Sequence, residues 1–381
     1  MRARWGAGGR SFKYAEDMHI SEVETPAILV DLDIMERNLG RVADYVREHG
    51  LRLRPHTKTH KSIRLARRQL ELGAAGLTVA KTGEAETMLQ AEPEDLLVAF
   101  PIVGRAKLER LMAVARRTHV TVALDSVAAA GELAEAAAAA KVKIGILAET
   151  DVGLGRVGVP PGKPLVALAE CIQMFDSLVF EGIAFYPGHI RNLDEAGQRA
   201  LEQLSELMGS IMDTFRRAGI QVKIVSGGST PTLFHSHEIA GLNEIRPGTY
   251  VFNDFNTVRV GASRLEDCAA AILATVISTA VAGQIVIDGG SKTFSSDRQA
   301  NSSEESFGHV VEAPAARFHK MNEEHGFIDV THADRKLRVG DRVRVIPNHV
   351  CTAMNLHERV YGLRGEHVEE VWNVDARGKV Q

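Results

Sequence analysis

Cysteine is scarce: Cys171, Cys268 and Cys351 are the three in 381 residues. Three thiols build no paired framework, which fits a reducing compartment, and a cytoplasmic location is expected. A basic excess is lacking too. The formal net charge is −4, so nothing is on hand to neutralise a phosphate backbone and nucleic acid is not an expected partner. There is no apolar run of membrane-spanning length; the longest, Ala269 to Gly283, is shorter than a span, rich in Val, Ile and Thr, and reads as buried strand. Met1 to Tyr14 has no apolar core of signal-peptide length, so neither export nor a membrane partner is expected. Finally, no G-x-G-x-x-G follows the first strand-like run, which removes the dinucleotide-binding fingerprint.

What is present is alternation. Thr25 to Asp31 is a buried-strand run, and Asp33 to Glu48 carries Ile34, Leu39, Val42 and Val46 near helical spacing. Strand-like segments then begin near Leu51, Gly76, Asp95, His119, Lys143, Leu178, Gln221 and Asn243, with helical patterns in most of the gaps. Eight strand-helix units over roughly two hundred residues match the length of an α/β protein of the (β/α)8 barrel class. A doubly wound sheet alternates in the same way and is the competing fold. After Val260 the runs are strand-like with few helices, which predicts a second, mostly β domain beginning near Arg259.

In a barrel the loops after the strands build the site. Leu51 to Lys61, L-R-L-R-P-H-T-K-T-H-K, reads as a strand delivering Lys58 to its own C-terminal mouth between His56 and His60. An amine among other cations loses its proton more easily and can form a Schiff base; the bland alternative is a solvated basic loop. Further on, Gly227-Gly228-Ser229-Thr230 supplies successive backbone N–H groups and two hydroxyls, the means by which a phosphate is cradled, though a tight turn has the same composition. A second glycine turn, Arg246-Pro-Gly248-Thr249-Tyr250, follows the next strand. Phosphate at one end and a lysine at the other point to pyridoxal phosphate.

The ordered motifs T-P-A-I-L-V-D-L-D, R-P-H-T-K-T-H-K, D-V-G-L-G-R-V-G, Y-P-G-H, G-G-S-T, R-P-G-T-Y, N-E-E-H-G and P-N-H-V-C-T cover nearly the whole chain. Together they resemble the D-threonine aldolase and D-serine dehydratase family, pyridoxal-phosphate enzymes on the alanine-racemase-type barrel. The resemblance implies a barrel over 32–258 and a β domain made of 1–31 plus 259–381. It implies that Lys58 forms the imine with the cofactor while Lys61 is a helix-surface residue. Arg156 then faces the phenolic oxygen and Tyr186 lies beside the ring. Gly227, Gly228, Ser229, Thr230, Gly248, Thr249 and Tyr250 belong to the phosphate-binding turns, and Arg246 corresponds to the arginine facing the pyridine nitrogen in alanine racemases.

His349 and Cys351 stand two apart, which on a strand puts them on one side, and an imidazole with a thiolate suits zinc. The resemblance makes them the metal pair beside the substrate's β-hydroxyl, with zinc favoured and manganese or magnesium as alternatives. The general base is not singled out; His189 and His56 are the candidates. The implied activity is a lyase on β-hydroxy-D-amino acids, of the D-threonine aldolase type, with the D-serine or 3-hydroxy-D-aspartate dehydratase as the alternative. A racemase and a non-catalytic cofactor carrier rank below these, and a homodimer is expected by analogy.

Overall fold

The structure is a computed structural model, and it describes residues 18–300 and 306–381. The expectation on export, which rests on Met1 to Tyr14, lies outside the described residues.

Strand β1 (Ala27–Asp31) runs straight into helix α1 (Leu32–Glu48). The junction is fixed by Asp31, whose carboxylate accepts the Ile34 amide at 2.9 Å as an N-cap. Met35, Leu39, Val42 and Val46 then fall on one buried face of α1.

The barrel strands follow as β2 (Arg52–Leu53), β3 (Leu77–Val79), β4 (Asp95–Val98), β5 (His119–Leu124), β6 (Ile144–Thr150), β7 (Leu178–Phe185), β8 (Ile224–Gly227) and β9 (Glu244–Ile245). Helices α2 (Ile63–Glu71), α3 (Thr82–Met88), α4 (Arg105–Ala115), α5 (Val127–Ala140), α6 (Lys163–Gln173) and α7 (Glu195–Arg217) connect them, and α8 (Phe255–Arg259) ends this part of the chain. All eight strands are parallel, in the order β2-β9-β8-β7-β6-β5-β4-β3. The ends of that row meet. Beyond β2, the Thr57 amide donates to Thr78 O and the Thr78 amide to Pro55 O, both at 2.8 Å, so the sheet closes.

Alternation along each strand separates two faces. On β6, Ile144, Ile146 and Ala148 pack outward against the helices, whereas Leu147 joins Leu97, Ala123, Ala184 and Ile224 inside the barrel. Each Leu or Ile among them contributes about 1.5–3 kcal/mol on burial. The inward layer nearer the strand N-termini is charged instead: Arg54, fully buried, pairs with Asp95 at 3.1 Å and Glu244 at 3.0 Å.

The second unit contains β10 (Ala270–Ser278), β11 (Gln284–Ile287), α9 (Ser291–Phe294), β12 (Gly308–Val310), β13 (Arg317–Met321), β14 (Gly326–Asp329), β15 (Arg342–Pro347), α10 (Val350–Leu356), β16 (Arg359–Arg364) and β17 (His367–Asn373). Its nine-stranded sheet includes β1, antiparallel to β10 and parallel to β16. Among the described residues no helix is long and apolar enough to cross a membrane.

Two clamps join this unit to the barrel mouth. Asp254, the N-cap of α8, accepts the Val350 amide at 3.1 Å. Asp375 accepts the Ile63 amide at 2.7 Å, and the Ala376 amide donates to Lys61 O at 2.9 Å. Lys61 is therefore not a helix-surface residue. It lies ahead of α2 at φ +49°, and its buried ammonium pairs with Glu84 at 3.2 Å and donates to Ala376 O at 3.3 Å. Docking of the C-terminal segment removes it from water, which local helical spacing does not reveal.

Candidate active site

One cavity of about 250 Å³ opens at the C-terminal ends of the barrel strands. Lys58, His56 and Thr59 line it from the loop after β2, Glu149 and Arg156 from β6 and its loop, and Tyr186 from the end of β7. Gly228, Ser229 and Thr230 follow β8, and Arg246, Gly248 and Thr249 follow β9. Lys58 and the glycine turns thus face one space.

The turns are glycine for reasons of room. A Cβ on Gly248 would lie 2.7 Å from Thr59 Oγ1 and 2.8 Å from His56 O, so this turn packs directly against the lysine loop. Gly227 is not in the cavity lining; a Cβ there would meet the Phe185 ring at 2.3 Å, so its glycine serves packing under the turn. Tyr250 also points elsewhere. It sits in a short 3-10 turn, Thr249–Val251, and its buried hydroxyl accepts from Gln69 Nε2 at 3.0 Å.

Arg156 rides over the Tyr186 ring, 4.7 Å from its centroid. Its loop is held by Asp151, whose Oδ1 accepts the amides of Gly153, Leu154 and Gly155 at 3.0–3.1 Å. Those three bonds hold the Asp151 carboxyl below its ordinary range. His189 is exposed and outside the lining; its ring lies over Gly153, whose added Cβ would be 3.3 Å from His189 Cε1.

Arg246 is buried, with Nη1 donating to Ser226 Oγ at 3.1 Å and Nη2 to Phe185 O at 3.0 Å. Desolvation lowers its pKa, against the pull of Glu149 and Glu244. His56 is driven well below the usual imidazole value by burial and then by Lys58, Arg246 and His60, so it is neutral. Its Nδ1 accepts the Lys58 amide at 3.4 Å and the ring also bonds the Thr78 backbone.

The His349 and Cys351 pair meets this cavity from the β domain. The two are not on a strand: His349 is the extended N-cap of α10 and Cys351 lies in its first turn. The side chains nonetheless influence each other, Cys351 raising the His349 pKa and His349 lowering that of Cys351. Cys351 Sγ stands 3.2 Å from Thr59 Oγ1, one residue from Lys58, which brings the pair to the lysine. Asp297 engages His349 Nδ1 at 2.7 Å and takes the Thr352 hydroxyl at 2.8 Å, leaving the other imidazole nitrogen for a metal. Burial alone would depress the His349 pKa; Cys351, Asp254 and Asp297 outweigh it and push it up to about 10. Burial likewise raises the Cys351 thiol, and His349 outweighs that and lowers it. Among the described residues no cluster of three or more metal-ligating side chains occurs. The donor set therefore fits a borderline-soft cation held by two protein ligands with positions left open.

Two residues here were not anticipated from sequence. Glu149 was signalled only by the inward alternation Gly145, Leu147, Glu149 on β6. Asp297 carries no signal, because it reaches His349 across 52 positions of chain.

An eight-stranded parallel barrel with a lysine and glycine turns at its mouth, closed over by a β domain, defines the alanine-racemase class of pyridoxal-phosphate enzymes. Residues 30–255 match the family model described as alanine racemase, N-terminal domain, and residues 269–363 match that of a putative serine dehydratase domain. The chain belongs to this family, in the D-threonine aldolase and D-serine dehydratase branch. It is 32% identical to the 3-hydroxy-D-aspartate aldolase of Paracoccus denitrificans (strain Pd 1222), over 95% of this chain and 94% of that one. The crystal structure of D-threonine aldolase from Filomicrobium marinum is similar with a TM-score of 0.89 and 30% identity, covering 98% and 100% of the two chains. D-threo-3-hydroxyaspartate dehydratase from Delftia sp. HT23 gives a TM-score of 0.86 at 29% identity, over 93% and 98%. That dehydratase is also known as a histidine-to-alanine mutant and, in the metal-free form, as a cysteine-to-alanine mutant.

Proposed function

We propose that the protein is a pyridoxal-phosphate- and metal-dependent lyase for β-hydroxy-D-amino acids, of the D-threonine aldolase type, cleaving Cα–Cβ to release glycine and an aldehyde. The observation that carries this reading is the approach of Cys351 to within 3.2 Å of Thr59, which sets a metal-type donor pair beside the lysine cavity. Bound there, pyridoxal phosphate supplies an electron sink for the pair released at Cα, and a divalent metal on His349 and Cys351 supplies a Lewis acid for the β-hydroxyl.

The chain's own residues do the rest. Gly228, Ser229, Thr230, Gly248 and Thr249 hold the phosphate, and Arg156, braced on Tyr186, meets the phenolic oxygen. Asp297 orients His349, and Thr59 steadies Cys351. His56, whose Nδ1 accepts the Lys58 amide, serves to fix the Lys58 backbone. Lys58 is the exposed amine of the cavity, the group that would hold the cofactor and that could carry a proton there.

A dehydratase outcome, yielding a 2-oxo acid and ammonia, is favoured by one observation. The histidine and cysteine changed in the dehydratase relative stand two positions apart, as do His349 and Cys351. The test is incubation of the holo-protein with D-threonine, D-serine and 3-hydroxy-D-aspartate, with and without chelator. Glycine and an aldehyde that vanish on chelation support the aldolase; ammonia and a 2-oxo acid select the dehydratase.

A further inference from the structure

The metal pair stands at the start of a helix that does not cap itself. His349 is the N-cap residue of α10, yet its side chain makes no capping bond, because the imidazole is turned to Asp297 instead. The first turn of a helix has amides without an internal partner, and a buried one left unpaired costs about 1–3 kcal/mol. Val350, the first residue of α10, is 1% exposed, so bulk water does not reach it. The partner comes from the other unit: Asp254 Oδ2 accepts the Val350 amide at 3.1 Å.

Asp254 divides its buried carboxylate between two helices. Oδ1 accepts the Thr257 amide at 2.9 Å as the N-cap of α8, while Oδ2 serves Val350 of α10. Its place in the chain matters as much. The segment that carries Gly248 and Thr249 into the cavity lining ends a few residues later at Asp254. In between, the backbone is pinned. The Asn253 amide donates to Thr249 O and the Ala269 amide to Phe252 O, both at 2.7 Å, and Asn253 Nδ2 donates to Asp267 O at 3.1 Å. One short, held stretch therefore has a cavity turn at its start and the cap of the metal turn at its end.

We infer that Asp254 is a positioning residue for the metal pair. By capping α10 from the barrel unit it sets the backbone that carries His349 and Cys351, and so fixes where a metal held by them stands relative to the cofactor cavity. Asp297 and Asp254 act on different parts: the first orients the His349 ring, the second the main chain beneath it. A site with two protein ligands is sensitive to such placement, because a shift of either donor is not made up by a third. This inference rests on the metal assignment made above.

The experiment is a double-mutant cycle on the full chain, with zinc and pyridoxal 5'-phosphate measured separately: zinc Kd by competition with a chromophoric chelator, cofactor Kd from the imine absorbance. Asp254→Ser keeps a capping oxygen for α8, since serine caps about as well as aspartate, but is too short to reach Val350. Val350→Pro removes the amide and leaves the carboxylate. Proline suits a first helical position, and His349 before it is already extended, at φ −136° and ψ 103°. Each variant should weaken zinc about tenfold or more, the double variant no further than the weaker-binding single, with cofactor Kd staying within about twofold of wild type. Zinc affinity kept in Asp254→Ser, or losses that add in the double variant, would overturn the proposal. So would zinc affinity lost in Asp254→Ser but kept in Val350→Pro, which would assign the effect to charge across space, and so would equal loss of zinc and cofactor in both, the mark of a folding role alone. If wild type forms the imine but takes up no zinc, the metal assignment itself fails, and this inference with it.

Discussion

His56 and His349 border the same site from opposite units and are driven in opposite directions. His56 belongs to the barrel wall, where burial and three neighbouring cationic or imidazole groups strip it of its proton. His349 belongs to the β domain, where Cys351 and Asp297, together with Asp254 reaching over from the barrel unit, surround it with negative charge and push its pKa up to about 10. The barrel mouth thus gathers cationic groups around its histidine, and the β-domain turn is surrounded by anionic ones. Neither unit alone presents both, and Thr59, touching Cys351, is where they meet.

The largest disturbance of that division is Lys58→Ala. Without the amine no imine forms, so the visible cofactor absorbance should disappear and cleavage should fall by roughly 10³-fold or more. Retained absorbance would move the covalent site elsewhere. Next comes Cys351→Ala, expected to lower cleavage by about 10²–10³-fold and to make the residual rate insensitive to chelator, with bound metal counted by elemental analysis. The barrel side should be untouched, so cofactor binding should stay near wild type.

A third histidine extends the barrel half of the comparison. His60, buried against Gln69, has its pKa lowered by burial to about 4. Above pH 6.5 it is neutral whether the chain is folded or not and costs nothing. As the pH falls from 6.5 toward 4 the unfolded chain takes up a proton that the folded one refuses, so stability drops by about 3 kcal/mol over that window. The urea midpoint followed against pH should show this, and His60→Asn should flatten the acid limb. An unchanged limb would assign the loss to other groups. The smallest effect is expected for Asp297→Asn, which leaves both metal-pair residues in place. Metal affinity should fall by about 10–100-fold while turnover at saturating metal changes little. A loss of turnover that added metal does not restore would give Asp297 a role beyond orienting His349.

Much of the barrel is legible in the sequence because its signals are local. All eight strands begin within three residues of the positions where apolar runs restart after helical spacing. The β domain is less legible. β12, β13 and β16 carry no separate signal, and H-V-C, which resembles strand by its spacing, opens α10 instead. That misreading still brings His349 and Cys351 together, since an extended N-cap followed by a helical turn also gathers residues two apart. Tyr250 and Lys61 fail for the opposite reason: their neighbours in space, Gln69 for the first and Glu84 and Ala376 for the second, are distant in the chain.

The residues by themselves determined the alternating architecture, the lysine at a strand mouth and the glycine turns, because each follows from backbone periodicity or from positions where a side chain would collide. Only the tertiary structure decided which charges face one another: that Asp297 reaches His349, that Glu149 turns inward beside Arg246, and that Lys61 is buried. Electrostatic partners act across space and leave no period in the chain, so folding has to bring them together before they can be read.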